Sequence, residues 1–281
     1  MGVVLTDEEF RLFGEWLAEE YGLRFGPERR DILRARLDPR RAELGFDSFE
    51  QLYFHLKFHP ERAAERQRLL PHLTNNESYF FRERPQLHAL RDEVLPAIRR
   101  RLLKESRREV RLLSAGCAAG EEPFTLAMIA RGTGLFPPPW KIRVTGVDLD
   151  PRALERAQGA RYSEHAFRGV EPELREQHFR RDGEQWEVIP TVRSLVEFRQ
   201  GNLVEPAWTR DLPPQDVIFC RNVLIYFDNE GTTRATRVLY DALIPGGYLF
   251  LGHAESLSRI PTRFAVVRRP GAIFYCRPDE E

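Results

Sequence analysis

This chain is poor in cysteine and has no excess charge of either sign. Its 281 residues include only three cysteines, Cys117, Cys220 and Cys276, scattered and without a C-x-x-C pair. An odd, dispersed set excludes a disulfide framework and a cysteine zinc site, and no other metal is expected; a reducing cytoplasm fits. Forty-three basic residues offset 43 acidic ones, whereas a nucleic-acid-binding protein ordinarily carries a basic excess, so nucleic acid is not an expected partner. No apolar run approaches the roughly 18 residues of a membrane span, and the first residues lack a basic-then-apolar leader, so membrane insertion is not expected. Internal repeats and low-complexity tracts are also missing. The length allows one large domain or two ordinary ones.

What is present becomes informative at residues 112 to 123. Leu112-Leu113-Ser114-Ala115 runs as an apolar strand into a small-residue turn, Gly116-Cys117-Ala118-Ala119-Gly120, and Glu121-Glu122-Pro123 starts a helix. Val144-Thr145-Gly146-Val147-Asp148 follows as a strand ending on a carboxylate. Open α/β sheets hold nucleoside cofactors in this way: glycines admit the ligand to the backbone, and an acid after the second strand accepts the ribose hydroxyls. The glycines are spaced G-x-x-x-G, and two acids in the first helical turn would repel a pyrophosphate. A cofactor with a ribose and a cation but no phosphate fits better, and S-adenosylmethionine (SAM) is one. Cys117 reads as a small packing residue, not a nucleophile.

The chain divides at about residue 75. Residues 1–75 are helical in pattern: Thr6 and Glu9 form a capping box, Phe10, Phe13, Leu17 and Tyr21 repeat at helical spacing, and Gly22 closes the helix. A second helix runs from Pro27 to Leu44, with Asp38-Pro39 either a kink or a stop followed by a new N-cap. It carries Arg29, Arg30, Arg34, Arg36, Arg40 and Arg41 against Glu28, Asp31, Asp38 and Glu43. Such a face is either merely solvated or a basic surface for an acidic partner. Residues 76–106 form a connecting segment, and residues 107–281 alternate strand and helix. Four parallel strands plus a hairpin over Phe264–Val267 and Ile273–Cys276 make an α/β doubly wound sheet of the SAM-dependent methyltransferase type. Residues 163–196 break the alternation with a polar helix, Gln185–Ile189 as a strand and a second short strand at Val192–Val196. This is a small β insertion, either decoration or a docking element.

Strand ends on such a sheet gather the ligand site. They offer Gly116 to Glu121, Asp148 for the ribose, Asn202 with Leu203 for the adenine edge, and the run Arg221-Asn222-Val223-Leu224-Ile225-Tyr226-Phe227. Glu121 suits the amino group of the methionine moiety.

Asn76-x-Ser78-x-Phe80-Phe81-Arg82, Gly120-Glu121-Glu122-Pro123, Phe219-Cys220-Arg221-Asn222-Val223-Leu224-Ile225-Tyr226-Phe227 and Gly252-His253-Ala254-Glu255-Ser256 occur in that order. Together they resemble the chemotaxis receptor glutamate methyltransferases, the CheR family, over nearly the whole chain. The resemblance implies methyl transfer from SAM, leaving S-adenosylhomocysteine, to glutamate carboxylates on the helical cytoplasmic bundle of a chemoreceptor. It implies a cytoplasmic monomer recruited to receptor arrays. By the same resemblance Arg82 and Tyr226 lie beside the transferred methyl. Asn76, Ser78, Arg82, Gly116, Glu121, Asp148, Asn202, Leu203, Asn222 and Val223 surround SAM, Ser78 standing where the family usually has Thr. The basic helix becomes the receptor-facing surface. The turn Arg181-Asp182-Gly183-Glu184 is short, like that of members that use no C-terminal pentapeptide tether. The alternatives are a SAM-loaded signalling adaptor without turnover and a methyltransferase acting on another protein. Adenine- and cytosine-directed nucleic-acid enzymes are disfavoured: Arg221-Asn222-Val223-Leu224 replaces the Asn/Asp-Pro-Pro-Tyr turn, and no Pro-Cys occurs.

Overall fold

Thr6 starts the first helix, α1 (Asp7–Tyr21), with a reciprocal capping box: the Glu9 N–H donates to Thr6 Oγ1 at 3.2 Å and the Thr6 N–H to Glu9 Oε2 at 2.8 Å. Gly22 ends it in the left-handed region at φ +72°. These details come from a computed structural model, which describes residues 3–279. After a short 3-10 turn come α2 (Arg30–Glu43), α3 (Phe49–Phe58) and α4 (Arg62–Leu73). Phe13, Leu17, Leu33, Leu37, Leu52 and Leu69 are fully buried among these helices. Helix α2 passes through Asp38-Pro39 without stopping. Each fully buried leucine contributes roughly 1.5–3 kcal/mol, and Leu33 and Leu37 on one face of α2 offset the N–H that Pro39 lacks.

Helices α5 (Arg84–Ala89) and α6 (Leu95–Lys104) lead into the sheet domain. There β1 (Glu109–Ala115), α7 (Glu121–Gly132), β2 (Lys141–Asp148), α8 (Pro151–Gly159), β3 (Arg161–Tyr162), α9 (Pro172–His178), β4 (Phe179–Asp182), β5 (Gln185–Val188), α10 (Pro190–Arg193), β6 (Val196–Gln200), β7 (Gln215–Cys220), α11 (Asn229–Ala242), β8 (Leu243–Leu251), β9 (Ala265–Arg269) and β10 (Ala272–Cys276) follow. The main sheet has the order β6-β2-β1-β7-β8-β10-β9. Its first five strands are parallel, and β10 and β9 close it antiparallel. There are thus five parallel strands, one more than the sequence suggests. The edge strand β6 takes up the stretch Leu195–Phe198, which already reads as strand-like in the sequence although only four parallel strands were counted.

A second sheet, β3-β5-β4, forms the insertion. The strand expected at Val192–Val196 is not there. Pro190 instead starts α10, where the Val192 and Arg193 N–H groups donate to the Ile189 carbonyl at 3.0 Å and Val192 is buried in the core. The insertion is welded to its surroundings by Phe80, whose ring meets Tyr162 and Phe179 edge-on at 4.7 Å and stacks on Phe167 at 5.2 Å.

The helical domain sits on the carboxyl ends of the parallel strands. Leu23 bridges to Phe227, the Arg24 N–H donates to the Tyr226 carbonyl at 2.8 Å, and the Asp228 N–H donates to the Gly22 carbonyl at 3.3 Å. Gly22 and Gly231 allow this approach: a Cβ on Gly231 would lie 2.7 Å from Gly22 Cα and 2.9 Å from its carbonyl oxygen. Gly231→Ala is therefore expected to lower stability by about 1–3 kcal/mol through overpacking against backbone. Gly14, in the middle of α1 with nothing within 4 Å of an added Cβ, gives the opposite expectation: Gly14→Ala adds about 0.5–1 kcal/mol. Urea unfolding of both variants checks the pair.

Candidate active site

Strand order reverses between β1 and β7, since β2 lies on one side of β1 and β7 on the other, and a cavity of about 280 Å³ opens at that point. Its floor is the turn after β1. Gly116 adopts φ +76°, and a Cβ there would lie 2.3 Å from Val223 Cγ2, so only glycine lets the two loops meet. The Ala118 N–H donates to Asp148 Oδ2 at 2.7 Å, and the Asp150 N–H donates to Asp148 Oδ1 at 2.9 Å. Burial nevertheless dominates and raises the Asp148 carboxyl to about 6. A carboxylate has about four lone-pair sites, more than these backbone donors use, which leaves acceptor capacity for a hydroxyl.

Asn76, Ser78, Arg82, Gly116, Asp148, Asn202, Leu203, Asn222, Val223 and Tyr226 all line this cavity. Glu121 does not: it lines an adjoining cavity with Asn76, Ser78, Arg156 and Tyr162, while Glu122 faces the main one. Glu121 is buried, its Oε2 has no hydrogen-bond partner, and burial raises its carboxyl to about 7. Asn222 is held at φ +60° with its Oδ1 likewise buried and unpartnered. Two orphaned acceptors and two desolvated carboxyls beside a glycine turn fit a ligand that brings hydroxyl donors and a cation, as SAM does.

Two of the amides are already engaged. Asn202 donates from Nδ2 to the Glu20 carbonyl at 2.7 Å and accepts the Val204 N–H at 3.3 Å, so it joins the domains. Asn76 donates from Nδ2 to Asp150 Oδ2 at 2.6 Å and pins the connecting segment to the α8 N-cap.

Sequence reasoning missed several organising residues. The half-buried Glu255 accepts the N–H groups of Asn222 (2.7 Å), Val223 (2.9 Å), Ile225 (3.2 Å) and Gly252 (2.6 Å), shaping the turn that carries Tyr226. Its position in Gly252-His253-Ala254-Glu255-Ser256 was the available signal. Asn75 donates from Nδ2 to the Tyr226 hydroxyl at 2.8 Å, which leaves the phenolic proton free to point elsewhere. Arg82 lies with its guanidinium 5.3 Å from the centre of the Tyr79 ring and forms no ion pair among the described residues. Its neighbours Phe81 (φ +57°) and Glu83 (φ +56°) are both left-handed, at a cost of about 1–3 kcal/mol each.

The six arginines of the basic stretch divide. Arg29 and Arg36 line the cavity, and burial lowers the Arg36 pKa. Arg30 donates to the Leu5 carbonyl at 2.7 and 3.0 Å, Arg40 pairs with the buried Glu65, and Arg41 pairs with Asp38 at 2.8 Å. Arg34 is half-buried. Cys117 and Cys220 are buried, which pushes both thiols well above their usual range, so Cys117 packs as expected. Among the described residues no cluster of three or more His, Cys, Asp or Glu is arranged to hold a metal, and no helix is long and apolar enough to cross a membrane.

Residues 76–273 match the SAM-binding domain of the CheR methyltransferases, and residues 8–74 match their all-alpha domain. The chain belongs to the CheR family. It is 34% identical to chemotaxis protein methyltransferase 2 of Vibrio cholerae over 98% of this chain and 95% of that protein. It is 31% identical to chemotaxis protein methyltransferase 1 of Pseudomonas aeruginosa (96% and 98% covered) and 32% identical to the Escherichia coli chemotaxis protein methyltransferase (94% and 90%). This CheR enzyme is therefore a SAM-dependent methyltransferase with the family's two-domain fold.

The raised Glu121 carboxyl has a consequence for stability. The folded protein binds more protons than the unfolded chain between the ordinary value of 4.5 and about 7, so this group's contribution to stability falls as pH rises through that window. Wild type is expected to lose stability relative to Glu121→Gln from about pH 4.5 to about pH 7. Urea unfolding across that range checks it, and parallel curves would contradict the assignment.

Proposed function

We propose that this enzyme transfers the methyl group of SAM to glutamate side-chain carboxylates on the helical cytoplasmic bundle of chemoreceptors, giving glutamyl methyl esters and S-adenosylhomocysteine. The observation carrying this reading is that Arg82 and Tyr226 share one cavity with Gly116, Asp148 and Asn222, while Arg29 and Arg36 of the helical domain line the same cavity. Arg29, Arg36 and Arg82 in one cavity with a phenol suit an anionic substrate presented on an acidic helix. The two-residue link between β4 and β5, Gly183-Glu184, offers little room for a receptor tail, and the reading includes no tether. The enzyme would act in the cytoplasm, at the receptor arrays.

Bound SAM supplies an electrophilic methyl on a positively charged sulfur. Asp148 would accept the ribose hydroxyls, Asn222 Oδ1 would receive an N–H donor of the amino-acid moiety, and Leu203 and Val223 would pack the adenosine. A glutamate is already ionised at neutral pH, so no general base is needed. The remaining task is to strip water from the carboxylate and aim one oxygen, and such positioning supplies roughly 7–11 kcal/mol. Arg82 presents a planar fork for the carboxylate, and Tyr226, its oxygen fixed by Asn75, donates its proton to the same group. Arg82 must orient rather than clamp, because the carboxylate charge is lost in the transition state.

The deciding assay incubates the purified protein with methyl-labelled SAM and membranes bearing chemoreceptors, and counts alkali-labile label released as volatile methanol. Receptor-dependent methanol is expected. SAM binding without label transfer would favour the adaptor reading. Arg82→Ala is expected to lower turnover about a hundredfold while SAM affinity, read by calorimetry, stays within a few-fold. A large loss of SAM affinity would contradict the role assigned to Arg82.

A further inference from the structure

Arg82 sits on an improbable piece of backbone, and something must keep it there. Left-handed conformations at both Phe81 and Glu83 (φ +57° and +56°) would relax in a free loop, since neither residue is a glycine. Three ties oppose that relaxation. The Phe81 N–H donates to Thr125 Oγ1 at 3.2 Å. Glu83 accepts the His253 N–H at 3.2 Å and lies 2.8 Å from His253 Nδ1. Between them, Arg221 donates from one terminal nitrogen to the Arg82 carbonyl at 2.8 Å.

Arg221 is the centre of this arrangement. Its side chain is 2% exposed, the Glu122 carboxylate accepts its Nε–H at 2.7 Å, and the Phe219 ring lies 5.1 Å below its guanidinium. Glu83 Oε2 is 3.9 Å from the same terminal nitrogen. Glu122 is itself fixed by the Ser114 hydroxyl at 2.7 Å. A single buried guanidinium therefore connects the helix start behind the glycine turn, the end of β7 and the carbonyl of Arg82. Glu122 belongs to the wall that would face the cofactor, and Arg82 to the wall that would face the substrate.

We propose that Arg221 is a positioning residue for methyl transfer. It locks the strained Phe81-Arg82-Glu83 segment to Glu122, so that the Arg82 fork faces the substrate carboxylate at a fixed distance from the cofactor turn. This proposal rests on the methyl-transfer reading above. Its action passes through the backbone of Arg82 and needs no contact between Arg221 and either substrate. A planar fork is required: a lysine in its place keeps a cation beside Glu122, but its single ammonium on a flexible stem does not span both the carboxylate and the carbonyl.

The test compares wild type with Arg221→Lys, and with Glu122→Gln as a milder second variant that keeps side-chain volume should the first not fold. Three quantities are read on the full-length chain: SAM affinity by calorimetry, kcat and KM for receptor membranes, and hydrogen exchange of the Phe80 and Phe81 amides by mass spectrometry. These two amides are bonded in wild type, to the Ala166 carbonyl at 2.9 Å and to Thr125 Oγ1. For Arg221→Lys we expect kcat to fall about tenfold or more, SAM affinity to stay within about threefold, and exchange at Phe80–Phe81 to accelerate about tenfold. Glu122→Gln should move kcat and exchange in the same direction by less. Unchanged kcat in a folded variant, or an affinity loss that parallels the kcat loss with exchange unaltered, would overturn the proposal. If wild type makes no ester at all, the functional reading fails instead, and the exchange and affinity data still decide whether Arg221 holds this segment.

Discussion

The site depends on one close approach between two domains. Gly22 and Gly231 bring the end of α1 against the start of α11, and the Leu23–Phe227 bridge then fixes the backbone of Tyr226 through the Arg24 N–H. Remove that approach and the cavity loses a wall, because Tyr21, Leu23, Phe25 and Arg36 come from the helical domain. The sheet alone supplies a nucleoside site. The helical domain turns it into a closed site whose opening carries cations.

Electrostatics divide the cavity into two ends. Near the cofactor turn, burial raises Asp148 and Glu121 above the ordinary carboxyl range, and two acceptors lack partners. Such groups are costly until a donor or cation arrives, and a sulfonium compound bound at this end would relieve them. At the other end Arg82 and Arg36 line the same cavity. On the proposed reading, which joins a cationic methyl donor to an anionic acceptor, that polarity is what the reaction would need, because the two charges would neutralise each other as an ester forms.

Much of this was legible in the sequence because its signals are local. The Thr6–Glu9 box, the Gly22 helix end and the glycine turn each follow from spacing or from a single residue's conformational need. The strand ends named Gly116, Asp148, Leu203, Asn222 and Val223 as neighbours, and all line one cavity. What stayed hidden is long-range or depends on side-chain direction. Adjacent residues Glu121 and Glu122 face different cavities because they lie on different sides of α7, and nothing in their order says which faces the ligand. The basic stretch reads as one surface, yet Arg30, Arg40 and Arg41 are engaged within the helical domain. The apolar stretch at Val192–Val196 reads as a strand, yet Pro190 starts a helix there and Val192 is buried within it. Glu255 and Arg221 act through partners 30 and 139 positions away.

The most direct test of the account identifies the modified atom. Receptor membranes are incubated with the enzyme and SAM carrying a deuterated methyl group, digested at mildly acidic pH to preserve esters, and mapped by tandem mass spectrometry. The account predicts the label as a methyl ester on glutamate side chains of the receptor's cytoplasmic helices, and its disappearance in Arg82→Ala. Label on nitrogen or sulfur atoms, or on a protein other than the receptor, would contradict it.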